Sequence, residues 1–433
     1  MNEAVKENAL TGLRKYKPYP VYKDSGVEWL GEVPAHWKCL KLKRVTSLAY
    51  GDSFNVRADT DGDFNTYGSN GIIGKHHLSN VNAPGIIIGR KGSFGKINYS
   101  NEPCFAIDTT FYIDNKITKE NIRWLYYCLQ ILGLDKFSKD SAVPGLSRES
   151  VYDKDIPYCD APEQEHISSF LDCETAKIDA LITKQERLIE LLQEKRAALI
   201  TRAVTKGLDP DAPMKDSGVK SLGKVPEGWT ILRSKHVAPI QAGFAYKSDL
   251  FEDEGVPLVR MSNLKRGALD LSDSVKIPKE FALDPFSLVE GDLLIGLSGS
   301  VGNFAVVRKE DLPCQLNQRV GRFIINSLVL RGYFAYFIQC KHFSEPIIAN
   351  SEGTAQLNIS PSELGEVRIV FPSSLEEQEE IVAFLDSKTA KIDALIAKQE
   401  QLIGLLRERR SALISAAVTG KIDVRPEVSS SCP

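Results

Sequence analysis

Residues 163–207 read EQEHISSFLDCETAKIDALITKQERLIELLQEKRAALITRAVTKG, and residues 377–421 read EQEEIVAFLDSKTAKIDALIAKQEQLIGLLRERRSALISAAVTGK. About 30 of the 45 aligned positions are identical at an offset of 214 residues, so the chain carries a duplicated element and must be read as a repeat. Apolar side chains at Ile178, Leu181, Ile182, Leu188, Ile189, Leu192 and Leu199 recur at three- and four-residue steps, the period of a helix. Lys177, Lys184, Glu186, Glu190 and Lys195 fall mostly off that stripe. Asp160 or Ser374 can cap the helix preceding that stripe, with Glu163 or Glu377, three residues on, placed to answer a free backbone amide. Gly207 and Gly420 mark the stops. From Thr175 to Val204 about 30 residues make a rod roughly 45 Å long. Alone, such a rod leaves its stripe wet, and the nearest partner is the other copy, tethered in the same chain. The reading predicts an antiparallel intramolecular coiled coil in which Ile178, Leu181, Ile182, Leu188, Leu192 and Leu199 pack with Ile392, Leu395, Ile396, Leu402, Leu406 and Leu413.

Outward from these helices a second repeat appears. DSGVEWLGEVPAHW at 24–37 matches DSGVKSLGKVPEGW at 216–229, at an offset of 192 residues. The offset therefore grows by 22 between the landmarks, and the second filling is the longer one. The fillings, 38–160 and 230–372, share little sequence. Both contain short β-rich runs such as Ile86-Ile87-Ile88 and Leu293-Leu294-Ile295, punctuated by glycine and proline. Helical spacing at 121–132 and 331–340 makes each filling a mixed α/β globule (α+β). The expected division is a lead segment 1–22, a first domain 23–160, a first repeated helix 161–207, a second domain with its lead-in 208–372, a second repeated helix 373–423 and a tail 424–433. Together these form a pseudo-twofold repeat. Residues 1–15 read either as a short amphipathic helix on the helix pair or as a disordered lead.

Composition narrows the function. Lys+Arg 54 against Asp+Glu 57 gives a formal net charge of -3, so any nucleic-acid binding must use a local basic surface. No apolar run approaches the roughly 18 residues needed to span a bilayer, and the first residues lack a signal peptide, which leads to an expectation of a cytoplasmic protein away from membranes. Eight cysteines without Cys-x-x-Cys spacing suit reduced thiols, with no metal site expected. Catalytic motifs are missing. GVKSLGK at 218–224 has phosphate-loop spacing, but Val225 stands where a magnesium-holding hydroxyl is needed. His76 and His77 are adjacent, so in an extended segment they point apart and cannot share a metal. No nucleophile elbow, zinc-protease helix or adenine-methylation motif is present.

The doubled Gly-x-x-Pro-x-x-Trp lead-in, the Gly-Ser-x-Gly turns at 92–95 and 299–302, and the doubled Glu-Gln-x-x-Ile-x-x-Phe-Leu-Asp with Thr-Ala-Lys-Ile-Asp-Ala-Leu-Ile resemble the specificity (S) subunit of type I restriction-modification systems. The resemblance runs from about Tyr19 to about Asp423. It implies two target-recognition domains, each reading one half of a bipartite, asymmetric double-stranded DNA site, with the paired helices setting the spacer. It implies a non-catalytic chain serving an adenine-N6 DNA methyltransferase and ATP-dependent endonuclease. Methyltransferase (M) subunits, two per chain, would dock on the repeated regions, and restriction (R) motor-nuclease subunits would join them. This chain would hold no cofactor. S-adenosylmethionine, ATP and magnesium would belong to the partners. A rod of roughly 45 Å corresponds to about 13 base pairs at 3.4 Å each. Polar side chains on strand-following loops are the candidate DNA contacts: Asn70, Arg90, Lys91, Ser93 and Lys96 in the first domain, and Arg260, Asn263, Ser298, Ser300, Asn303, Gln356 and Asn358 in the second. Two alternatives are a nucleic-acid-free coiled-coil adaptor scaffolding a multiprotein complex and a self-sufficient enzyme.

Overall fold

The computed structural model describes residues 16–53, 62–136, 145–265, 267–298, 303–349 and 359–425. Its longest elements are the helices Ala161–Lys206, 46 residues, and Leu375–Val418, 44 residues. Each is continuous from its cap, so the rod of about 30 residues expected from the stripe is too short. Upstream of Thr175 and Thr389 the helix packs on a domain, and its polar signature residues hide the continuing period. The Asp160 carboxylate accepts from Glu163 N at 3.0 Å, and Ser374 Oγ accepts from Glu377 N at 3.4 Å. Gly207 and Gly420 end the helices at φ 75° and 69°, left-handed values that suit glycine.

The chain forms two compact units, 1–186 with 399–433, and 187–398, and each long helix contributes one half to each. In the first unit a four-stranded antiparallel sheet runs in the order Ala49–Tyr50, Thr110–Asp114, Gly85–Gly89, Ile97–Ser100. Beside it Phe64–Gly68 pairs in parallel with Cys104–Ala106 and antiparallel with Gly71–His76. Lys38–Lys41 pairs with Asp155–Tyr158, and the lead-in is a hairpin of Tyr22–Asp24 and Glu32–Pro34. Trp37, Ile86, Ile87, Ile88, Phe111, Trp124 and Tyr127 are fully buried, forming its core. Residues 1–15 lie outside the described region. Tyr16 and Tyr19 of the expected lead are buried in the unit, and Lys17 O accepts from Asp423 N at 2.7 Å.

The second unit repeats this plan. Its four-stranded sheet runs Ile240–Ala242, Val320–Phe323, Leu293–Gly296, Phe304–Val306, and Val256–Val259 pairs in parallel with Gln315–Leu316. Trp229–Arg233 pairs with Arg368–Pro372, and the lead-in hairpin is Met214–Asp216 with Lys224–Pro226. A shared steric demand shows how deep the equivalence runs. A Cβ on Gly51 would stand 2.1 Å from Ile107 O, and one on Gly243 2.3 Å from Asn317 O, so neither position admits a side chain.

The repeated motif residues tie helix to domain in the same way in both units. Gln164 Oε1 accepts from Asn121 N at 3.0 Å, at the cap of helix Ile122–Gln130. Gln378 Oε1 accepts from Leu330 N at 2.7 Å, at the start of helix Arg331–Phe337. Tyr127 Oη donates to Asp172 and Tyr336 Oη to Asp386, both at 2.6 Å, with Thr175 and Thr389 alongside. Burial, then the Asp386 hydrogen bond, pushes the Tyr336 hydroxyl up to about 12, which keeps it a donor. The expected reach of Glu163 back to its own cap gives way to another role. Its carboxylate accepts from Trp37 Nε1 at 2.8 Å and Tyr19 Oη at 2.8 Å, and lies 2.9 Å from His36 Nε2. Glu377 accepts from Trp229 Nε1 at 2.9 Å. The glutamate of each motif therefore holds the tryptophan of the matching lead-in.

Within each unit the helix halves run antiparallel. In the first, Arg410 meets Asp179 at 2.9 Å and Arg407 meets Glu186 at 3.1 Å; in the second, Arg196 meets Asp393 at 2.9 Å. The shielded positions are Ile178, Ile182, Gln185, Ile189, Leu192, Arg196 and Leu199, and in the second copy Ile392, Ile396, Gln399, Ile403, Leu406, Arg410 and Leu413. Their steps alternate four and three, the heptad seam of a coiled coil. Leu181, Leu188, Leu395 and Leu402, expected in that seam, are instead 44%, 39%, 47% and 38% exposed. Each precedes a seam isoleucine by one residue, about 100° around the helix. The hydrophobic stripe counted these leucines and passed over Gln185 and Arg196, whose positions in the heptad are polar.

Candidate nucleic-acid interface

In both units the loops that follow the central strands converge at one end of the sheets. The backbone matches residue for residue. Ile107 N donates to Tyr67 O as Asn317 N does to Val259 O; Arg90 N donates to Thr109 O as Leu297 N does to Arg319 O. Gly68, Arg90, Ile107, Asp108 and Thr109 of the first unit therefore correspond to Arg260, Leu297, Asn317, Gln318 and Arg319 of the second. Similar scaffolds present different side chains.

In the first unit the turn after Gly85–Gly89 is closed by Gly95 N on Gly89 O and Gly89 N on Lys96 O, both 2.8 Å. Lys96 Nζ crosses to Asn70, donating to its backbone oxygen at 2.7 Å and to its Oδ1 at 2.9 Å. These two expected contacts are thus brought together, and Lys91 and Ser93 stand exposed on the turn. Arg90 donates from Nη2 to Asp108 O at 2.8 Å, and its guanidinium lies 5.2 Å from the Tyr50 ring centre. The Arg148 guanidinium lies at the same distance, 5.2 Å, from that ring. Stacking on an aromatic face fixes the plane of a guanidinium while leaving its edge free to donate. Arg90, Lys91, Lys96 and Arg148 make this rim cationic although the whole chain is not. Arg148 was not expected: nothing in its local sequence places it beside Tyr50.

In the second unit Arg260 follows strand Val256–Val259, and its Nε is buried without a hydrogen-bond partner. Arg260 and Ser298 line a cleft of about 480 Å³ with Tyr246, Asn317, Gln318 and Arg319, and no carboxylate among the described residues lines it. The last three were missed. Their signal was a polar Asn-Gln-Arg run between two apolar strands, legible only as a turn until the neighbouring loops are in place. Asn263, expected to contact DNA, is buried and structural instead: Oδ1 accepts from Arg260 N at 2.9 Å and Nδ2 donates to Asp270 O at 2.8 Å. Its amide closes the loop that presents Arg260. Asn303 is half-buried, and its backbone oxygen accepts from Gly296 N at 2.8 Å. Ser300, Gln356 and Asn358 lie outside the described residues.

Other motifs resolve into structure. GVKSLGK forms the turn of the lead-in hairpin, and His76 stacks on Phe105 with ring centres 3.8 Å apart. Among the described residues no three His, Cys, Asp or Glu side chains converge as metal ligands, and no helix is long and apolar enough to cross a membrane.

A family model described as type I restriction modification DNA specificity domain matches residues 34–191 and 226–403. The chain is 30% identical over 211 residues to the type I restriction enzyme EcoKI specificity subunit of Escherichia coli (strain K12), over 47% of this chain and 45% of that protein. It is 26% identical over 353 residues to the type I restriction enzyme MjaVIII specificity subunit of Methanocaldococcus jannaschii, over 79% and 77%. The match thus spans about half the length of the first relative and most of the second. A solved chain, described in terms of complex assembly and conformational transition of the type I R-M system, has a similar fold at 16% identity, with a TM-score of 0.59 over 89% of this chain and 98% of that one. With both halves matched, the chain belongs to the type I restriction-modification DNA specificity family.

Proposed function

We propose that this chain is the DNA sequence-recognition subunit of a type I restriction-modification complex. Each unit reads one half of a bipartite, asymmetric site, and the two long helices fix the interval between the halves. The observation that carries this reading is the pairing of one scaffold with two unlike rims. A frame duplicated down to its glutamate-tryptophan contacts holds Arg90, Lys91, Lys96 and Arg148 at one set of strand ends, and Arg260, Asn317, Gln318 and Arg319 at the other. A reader of two different half-sites needs that combination: common positioning and different donors aimed at base edges.

The chain itself performs no chemistry in this reading. Methyltransferase subunits, two per chain, dock on the repeated regions and bring S-adenosylmethionine; restriction subunits bring ATP and magnesium. The complex works in the cytoplasm, where its DNA is. The domain limits at 23–160 and 208–372, with helices 161–207 and 373–423, follow from the same reading. Mapping methylated adenines in DNA from cells that carry the system tests it. The expected result is one interrupted motif with unlike halves. Methylation without a motif, or at one uninterrupted palindrome, contradicts it.

A further inference from the structure

We propose that the cleft in the second unit is a guanine-reading site, with Arg260 as the principal reader and Arg319 as its neighbour. The inference rests on the DNA-recognition reading above and names what one of its surfaces recognises. Three observations carry it. The Arg260 Nε makes no hydrogen bond, like the Nε atoms of Arg90 and Arg148 on the other rim, so its guanidinium keeps donor capacity for an acceptor supplied from outside. The cleft, about 480 Å³, presents two guanidiniums and, among the described residues, no carboxylate to pair with them. Guanine is the base whose major-groove edge offers two acceptors, N7 and O6, spaced for a guanidinium fork. Cytosine offers a donor there, which the two guanidiniums cannot accept.

The third observation separates a base from a phosphate. A phosphodiester is the same at every step of a duplex, so a grip on it gains nothing from differing between two readers. At the matched backbone positions the first unit has Gly68 where the second has Arg260, and Thr109 where it has Arg319. The difference falls on the residues that present planar donors. Asn263 further holds the Arg260 backbone at 2.9 Å, so the guanidinium starts from a fixed loop, as base readout requires.

The test uses the full chain assembled with its methyltransferase subunits and a duplex library randomised across both half-sites. Wild type, Arg260→Ala and Arg319→Ala are compared by sequencing the bound duplexes; Arg319 is exposed, so its variant leaves the fold intact. The expected result is a wild-type motif with guanine in one half. Arg260→Ala relaxes a guanine position in that half, with discrimination falling by about 5- to 150-fold, the range of one bidentate pair. Arg319→Ala weakens preference in the same half, and the other half stays unchanged in both variants. An unchanged motif with uniformly weaker binding and a salt slope reduced by about one per residue would make the arginines phosphate anchors and overturn the proposal. A wild-type motif without guanine in either half overturns it too. Indifference of the wild-type complex to sequence would instead remove the DNA-recognition reading on which it rests.

Discussion

Glu163 shows what a single repeated residue does in this chain. It is buried and answers three donors, from Tyr19, His36 and Trp37, whereas Glu377 answers Trp229. Burial, then the Glu163 hydrogen bond, holds the Tyr19 hydroxyl well above the usual phenol range, so it remains a donor across ordinary pH. Glu163→Ala leaves the buried Tyr19 and Trp37 donors unanswered and should cost about 2–4 kcal/mol, against about 1–2 kcal/mol for Glu377→Ala, because each orphaned buried group carries its own penalty. Urea unfolding of the two variants checks the order; equal losses would mean that the extra partners contribute nothing. At the proposed DNA-binding rim, Arg90→Ala should weaken binding of cognate DNA about tenfold and leave methyltransferase-subunit binding intact, as read by titration and co-purification. Unchanged DNA affinity would remove Arg90 from the site. The position of Arg90 on the rim was legible because it follows an apolar strand inside a Gly-Arg-Lys-Gly turn. Asn263 looked equally suitable and is structural, since an asparagine in a turn serves its own backbone as readily as a ligand. Arg148 and Arg319 could not be found from sequence, because their roles depend on which loops meet.

The long helices were legible in kind and not in extent. Their period, caps and stops are local, and each appears where the residues place it. The seam required one more fact, that an antiparallel partner selects a 3.5-residue period and so takes Gln185 and Arg196 in preference to Leu181 and Leu188. Substitutions should separate the two stripes. Ile182→Ala and Ile403→Ala, which empty buried seam positions, should each cost about 2–4 kcal/mol, while Leu181→Ala and Leu402→Ala should cost less than about 1 kcal/mol. Denaturant midpoints at constant slope measure both pairs. Larger losses at the leucines would restore the original stripe. The acid-base pairs Asp179–Arg410 and Arg196–Asp393 each join a partly shielded arginine to an exposed aspartate, so they set register more than stability.

At the level of the whole chain, the duplicated frame was readable because identity survives where a glutamate must meet a tryptophan and a glutamine must meet a helix cap. The fillings shared little beyond a Gly-Ser-x-Gly turn, and their common topology emerged only with the strand pairings. That contrast fits the proposed division of labour, in which the frame is constant and the readers diverge. The claim that each unit reads its own half-site is tested most directly by replacing residues 230–372 with the corresponding filling of a relative that recognises another sequence, then mapping methylated adenines. The account predicts that one half of the interrupted motif changes while the other half and the interval between them persist. Simultaneous change of both halves, or of neither, would contradict it.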